Sequence, residues 1–150
     1  MPMSAMLVSG TTWTPSVTSY WPRPAPGDAM ALPDAAELLA AYSFLARRYG
    51  WRGEASVVGV ARVVAEARTL AVAPGDEAAA ICFALSRHPR VFPGGWRVMT
   101  AVLLDNMALR HGSRVAVTPD ELASLRLDIA AGAVDWATVR DFIGQRTRER

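Results

Sequence analysis

From Leu32 onward, apolar residues recur at helical spacing, and proline, glycine and capping residues interrupt that spacing at short intervals. A chain punctuated in this way is restricted to short helices packed on one another. Six helices are expected. The string Pro33-Asp34-Ala35-Ala36-Glu37 sets an aspartate cap three residues before a glutamate, opening a helix over 33–48 with Leu38, Leu39, Tyr42 and Leu45 on one face and a stop at Gly50. The second, over 54–71 after Gly53, carries Val57, Val60, Val64 and Ala67 on one side and ends before Pro74-Gly75. Asp76 is expected to cap the third, over 76–88, which is rich in alanine, buries Ile81, Phe83, Ala84 and Leu85, and stops near His88-Pro89.

The fourth helix, over 95–111, follows Pro93-Gly94-Gly95 and has Met99, Val102, Leu103, Met107 and Ala108 at helical spacing, so it is expected to be the central and most buried one. Asp105 and Asn106 read as its solvated side. Residues 115–117 read as a short extended piece. Thr118-Pro119-Asp120-Glu121 is a capping box with proline at the first helical position, opening a fifth helix over 118–131, and Asp135 caps a sixth over 135–147. The expected fold is all-α, a bundle of about six helices around a central buried helix, over 30–150. Residues 1–29, rich in proline, serine and threonine, read as a flexible arm; the alternative is an arm docked on the body or a partner through Trp13, Tyr20 and Trp21, and Met30 is a second candidate start.

Composition narrows the chemistry. The 150 residues are 51% hydrophobic and 20% charged, enough apolar mass for one folded domain. All sixteen basic residues are arginine, so lysine Schiff bases and phosphate-loop lysines are excluded, and any anion must be held by arginine. A net charge of +2 spread along the chain is a poor footprint for nucleic acid, and the tail Arg146, Arg148, Arg150 reads as a solvated helix end. The one cysteine, Cys82, cannot form an internal disulfide and reads as a small buried hydrophobe; with His88 and His111 it falls short of the usual zinc ligand set, so no metal site is expected. No apolar run is long enough to cross a bilayer and Met1–Val8 lacks the pattern of a signal peptide, so the expectation is a cytoplasmic protein that engages neither membrane nor nucleic acid.

One segment carries chemistry: Arg87-His88-Pro89-Arg90-Val91-Phe92-Pro93-Gly94-Gly95-Trp96-Arg97-Val98, between the third and fourth helices. Its two glycines leave backbone N–H groups open, the following helix N-terminus is partially positive and Arg97 adds a full charge, which together make an anion pocket. The bland reading is a tight turn with Trp96 plugging the core. His88 and His111 both read as helix ends that interact well with the dipole, His88 being also the candidate acid or base of the loop.

The region 77–143 resembles the Fic/Doc family, in its short toxin type called Doc. The family signature, His-x-Phe-x-(Asp/Asn/Glu)-(Gly/Ala)-Asn-Lys-Arg, falls on Arg90 to Val98: Phe92 matches the phenylalanine, Gly95 the small residue, and Arg97 replaces the lysine conservatively. The segments 118–123 and 130–135 resemble the acidic helix start and the small-residue turn that follow. The resemblance implies an all-helical fold around a central helix. In the family the histidine is the general base, the acidic residue binds magnesium, and the asparagine, lysine and arginine hold nucleotide phosphates; here those positions are Arg90, Gly94, Trp96, Arg97 and Val98. An alternative alignment with a two-residue insertion brings His88-Pro89 onto the family's His-Pro start, still with no carboxylate at Gly94.

The candidate catalytic residues are therefore Arg90, Arg97 and His88, and the candidate ligand-binding residues are Phe92, Gly94, Gly95, Trp96 and Arg97. Three functions are compatible with them. The first is a degenerate Doc-like protein that retains an anion-binding loop for an anionic small molecule, a nucleotide or a protein partner, either antitoxin-like or from a pathway. The second is a Fic-fold enzyme repurposed for other chemistry on a small molecule or peptide. The third is a Doc-type toxin transferring a nucleotide-derived group to a protein hydroxyl, ranked last because standard nucleotidyl transfer requires the missing base and metal ligand. The sequence identifies no definite cofactor; a nucleotide or other phosphate-containing ligand is the candidate.

Overall fold

Six helices and two short strands occur among the described residues: α1 Ala35–Tyr49, α2 Val57–Leu70, α3 Glu77–Arg87, α4 Trp96–Leu109, β1 Ser113–Val115, α5 Pro119–Ala130, α6 Trp136–Gln145 and β2 Thr147–Glu149. The computed structural model describes residues 32–149; the arm expected over 1–29, with its aromatic residues, and Arg150 of the tail lie outside the described residues. The all-helical expectation holds, with one two-stranded sheet added. No helix among the described residues is long and apolar enough to cross a membrane.

Several helix ends form as the local sequence dictates. Asp34 Oδ1 accepts from Glu37 N at 2.8 Å and Glu37 Oε1 accepts from Asp34 N at 3.1 Å, so both halves of the first capping box are made. The same reciprocal bonds join Thr118 and Glu121 at the start of α5, and Asp135 caps α6 by accepting from Thr138 N at 2.9 Å. Gly50 closes α1 in the left-handed region, with φ of 69°.

Other ends differ from expectation. The hydroxyl of Ser56 accepts from Gly59 N at 3.0 Å, so α2 starts three residues later than expected. That start turns Val57 outward, leaving it 65% exposed, and Val63 joins Val60, Val64 and Ala67 on the buried face. Asp76 makes no cap: its backbone is already helical, and its Oδ2 accepts from Ala73 N at 3.2 Å, which closes the Pro74-Gly75 turn instead.

The central helix is α3 and not, as expected, α4. Every residue from Glu77 to Ser86 is buried, and the helix packs against α2, α4, α5 and α6. Its alanines explain this. Ala78, Ala79, Ala80 and Ala84 keep the helix thin on several sides, so neighbours approach its axis from all around it, whereas the larger residues of α4 confine contact to part of its surface. Asn106, expected on a solvated side of α4, is buried and its Nδ2 donates to Val102 O at 2.8 Å.

The tail differs most. The last helix ends at Gln145 and the chain becomes β2, antiparallel to β1 with Ser113 opposite Glu149 and Val115 opposite Thr147. Arg146 is no solvated helix end: it pairs with Glu121 of the α5 capping box, and its guanidinium carbon lies 4.3 Å from the Phe142 ring centroid. A one-turn helical continuation would lose both the strand pairing and this contact.

Candidate functional site

The loop between α3 and α4 begins as a cationic cleft. Arg87 ends α3 and His88 is its C-cap, and both reach Glu66 on α2. His88 Nε2 lies 2.7 Å from Glu66 Oε2, while Arg87 Nη1 lies 2.8 Å from Oε1 as an ion contact without hydrogen-bond alignment. The chain then turns at Pro89 and Arg90, and Val91 O accepts from Ser56 N at 2.9 Å, which ties the loop to the first turn of α2. A Cβ at Gly59 would stand 2.8 Å from Val91 Cγ2, so this closure needs glycine there. Between loop and helix lies a cleft of about 350 Å³, lined by Ser56, Gly59, Arg62, Arg87, His88, Pro89, Arg90 and Val91. Glu66 engages Arg87 and His88; neither Arg62 nor Arg90 has an ion-pair partner among the described residues.

The middle of the loop belongs to packing. Phe92 is 3% exposed and stacks on Tyr42 with ring centroids 4.9 Å apart. Trp51 lies 5.8 Å from Tyr42 and 5.7 Å from Tyr49, centroid to centroid, and extends this aromatic cluster under the glycines. Gly95 has φ of 65°, and a Cβ built on it would meet the Trp51 ring at 2.2 Å. The opening expected at Gly94 and Gly95 is thus occupied by the indole of Trp51.

The end of the loop faces elsewhere. Trp96 is half-buried at the start of α4, with the Arg126 guanidinium carbon 3.2 Å and the Arg97 guanidinium carbon 5.8 Å from its ring centroid. Partial burial, together with the Arg97 charge, lowers the pKa of Arg126 from the ordinary arginine value. Arg90 and His88 therefore share a cleft, Phe92, Gly94 and Gly95 share an aromatic core, and Trp96 and Arg97 share a third surface with Arg126. The one pocket expected from the sequence is thus three separate places.

Four residues missed by that reading complete these places: Trp51, Arg62, Glu66 and Arg126. The available signal was the spacing of Arg62 and Glu66, four apart and hence on one helical face. Nothing local marked Arg126 or Trp51, whose roles depend on contacts distant in sequence. Of the remaining candidates, Asp105 lines a separate recess of about 100 Å³ with Val115, Pro119 and Leu122. His111 Nε2 lies 3.1 Å from Oε2 of Glu77, a carboxylate only 1% exposed that also accepts from Gly75 N at 2.9 Å. Burial pushes the Cys82 thiol up to about 12, against a smaller lowering by Ser86, which suits packing and not nucleophilic attack. Among the described residues no group of three or more His, Cys, Asp or Glu side chains is placed to hold a metal ion. Comparison of the chain with protein-family models, with curated proteins and with solved structures gave no match.

Proposed function

We propose that this chain is a binding module for oxyanion-bearing ligands, a degenerate Doc-like protein whose signature loop attracts anions without performing the family's transfer chemistry. One observation carries the reading: Arg62 and Arg90 line a 350 Å³ cleft and have no carboxylate partner among the described residues. No acidic residue is among those lining the cleft, and Glu66 beside it is already engaged by Arg87 and His88. A phosphate or carboxylate entering there gains charge-assisted hydrogen bonds from guanidinium groups that the fold leaves unneutralised. The cleft is at the lower end of the volume range of small-molecule sites, which suits a phosphate with a small organic group such as a nucleotide sugar end.

Titration calorimetry with AMP and with pyrophosphate tests this. Arg90→Ala and Arg62→Ala are each expected to weaken binding by about tenfold or more, the size of a lost charge-assisted contact of about 1.5 kcal/mol or above. Arg97→Ala is expected to change it less than twofold. No binding at millimolar ligand, or equal affinity in wild type and Arg90→Ala, removes the proposal. Incubation with labelled ATP, magnesium and cell lysate is expected to transfer no more label than the Arg90→Ala control.

A second reading, a Fic-fold enzyme repurposed for other chemistry, is favoured by the His88–Glu66 contact of 2.7 Å, because a carboxylate that orients an imidazole is a recurrent arrangement for a general base. His88→Gln separates the two. The binding module keeps its anion affinity within twofold in that variant, whereas an enzyme that uses the imidazole loses turnover with binding intact.

A further inference from the structure

We infer that this chain associates with a second copy of itself, the outer face of α2 on one copy packing against the outer face of α5 on the other. The large hydrophobic residues that stand exposed among the described residues are confined to these two places: Val57 at 65% and Val58 at 63% open α2, Val72 at 82% follows its C-terminus, and Leu127 at 61% is on α5. Apolar side chains gathered in this way mark surfaces that a partner covers.

Charge says which partner. The exposed residues of α2 are Val57, Val58, Ala61, Ala65 and Thr69 with Arg62 and Arg68, and none is acidic; Glu66, partly buried, is engaged by Arg87 and His88. Those of α5 are Asp120, Ser124, Leu127, Asp128 and Ala130, and none is basic. None of these four charged residues has an ion-pair partner among the described residues. Both helices turn their buried sides toward α3, so their outer faces point away from it and cannot meet within one chain. Pairing α2 with α2 would set arginine against arginine, and residues 1–31 contain a single acid, Asp28, which cannot balance two cations. The α5 face of a second copy can.

The spacing fits as well as the sign. At about 100° per residue, Arg68 and Arg62 fall on opposite flanks of the line through Ala61, Ala65 and Val58, and Asp120 and Asp128 fall on opposite flanks of Ser124. Laid antiparallel, the faces bring Arg68 to Asp120 and Arg62 to Asp128, and seat Leu127 on the small side chain of Ala61. The arginines are about 9 Å apart along their axis and the aspartates about 12 Å, a difference that flexible arginine stems span. Antiparallel packing also sets opposite dipole ends together. Each copy carries both faces, so association closes through two equivalent contacts or continues from copy to copy. Arg62 also lines the cleft beside Arg90, but this association requires no anion there.

Sedimentation velocity of the full chain, from low micromolar to near-millimolar concentration, tests this. Arg68→Glu and Asp120→Arg, both outside the cleft, each reverse one charge on one face. The wild type is expected to gain mass with concentration, and each variant alone to associate about tenfold or more weakly with its circular dichroism unchanged. An equimolar mixture of the two variants is expected to regain association, because the intact α5 face of one meets the intact α2 face of the other and the two reversed faces complement each other. Leu127→Glu is expected to weaken association as strongly as either reversal. A wild type that stays monomeric throughout overturns the inference and leaves these faces to another protein or to residues 1–31. So does association that both reversals leave within twofold of wild type, or a mixture that associates no more strongly than its components.

Discussion

Gly95→Ala is the substitution whose cost the structure fixes most closely. The backbone at Gly95 has φ of 65°, where an alanine pays about 1 kcal/mol or slightly more for its Cβ. That Cβ would also stand 2.2 Å from two ring atoms of Trp51, far inside van der Waals contact, so the indole has to leave its place between Tyr42 and Tyr49. A half-buried indole covers on the order of 100 Å² of apolar surface, which is about 2.5 kcal/mol at 25 cal/mol per Å². The two terms together predict a loss of about 3–4 kcal/mol, or roughly 10–15 °C in Tm for a domain of this size. Gly112→Ala supplies the control: its φ of 68° is nearly the same and nothing lies within 4 Å of the built Cβ. That variant is expected to lose only the conformational part, about 1 kcal/mol. Urea denaturation of both, and of each Gly95 form in a Trp51→Ala background, measures the separation. With the indole absent, Gly95→Ala should cost about 1 kcal/mol. If Gly95→Ala and Gly112→Ala cost the same, or if removing Trp51 does not shrink the Gly95 effect, the packing described for the loop is wrong.

Two further outcomes follow from buried groups. The Cys82 thiol has its folded pKa raised to about 12, so its contribution is fully present below the unfolded value near 8.5 and is lost as pH rises toward the folded one; between them wild-type stability is expected to fall about 1.4 kcal/mol per pH unit more steeply than that of Cys82→Ala, by urea denaturation, and parallel profiles would contradict the burial. His111→Ala removes one of two partners of Glu77 Oε2, with Glu77 Oε1 buried and already without a partner, and is expected to cost about 1–3 kcal/mol at pH 7, a loss below about 0.5 kcal/mol being evidence that the contact is idle.

The helices were legible in the sequence because their determinants are local. Asp34 with Glu37, Thr118 with Glu121, and Asp135 act within four residues, and each makes the bond that its spacing implies. Legibility failed where a long-range contact outweighed a local signal. Asp76 looks like a cap but serves the Pro74-Gly75 turn, and the aliphatic strength of α4 concealed that small side chains, not large ones, place α3 at the centre. The tail reads as helix until its pairing with residues more than thirty positions earlier is known. In the candidate site, arginine, histidine and glycine cluster visibly in one loop of the sequence, but the sequence could not show that Trp51 fills the space at Gly95. That indole divides the loop, sending Arg90 toward α2 and leaving Arg97 with Arg126.

The central claim is that the cleft beside Arg62 and Arg90 is a receptor for oxyanions. Its most direct test is a crystal structure of the full chain grown with selenate and measured at the selenium edge. The account predicts an anomalous peak between loop and α2, with oxygens within hydrogen-bond distance of both Arg62 and Arg90 and with Glu66 still engaged by His88. A cleft without a peak at saturating selenate, or a structure in which Arg62 and Arg90 turn away to carboxylates of their own, would contradict it.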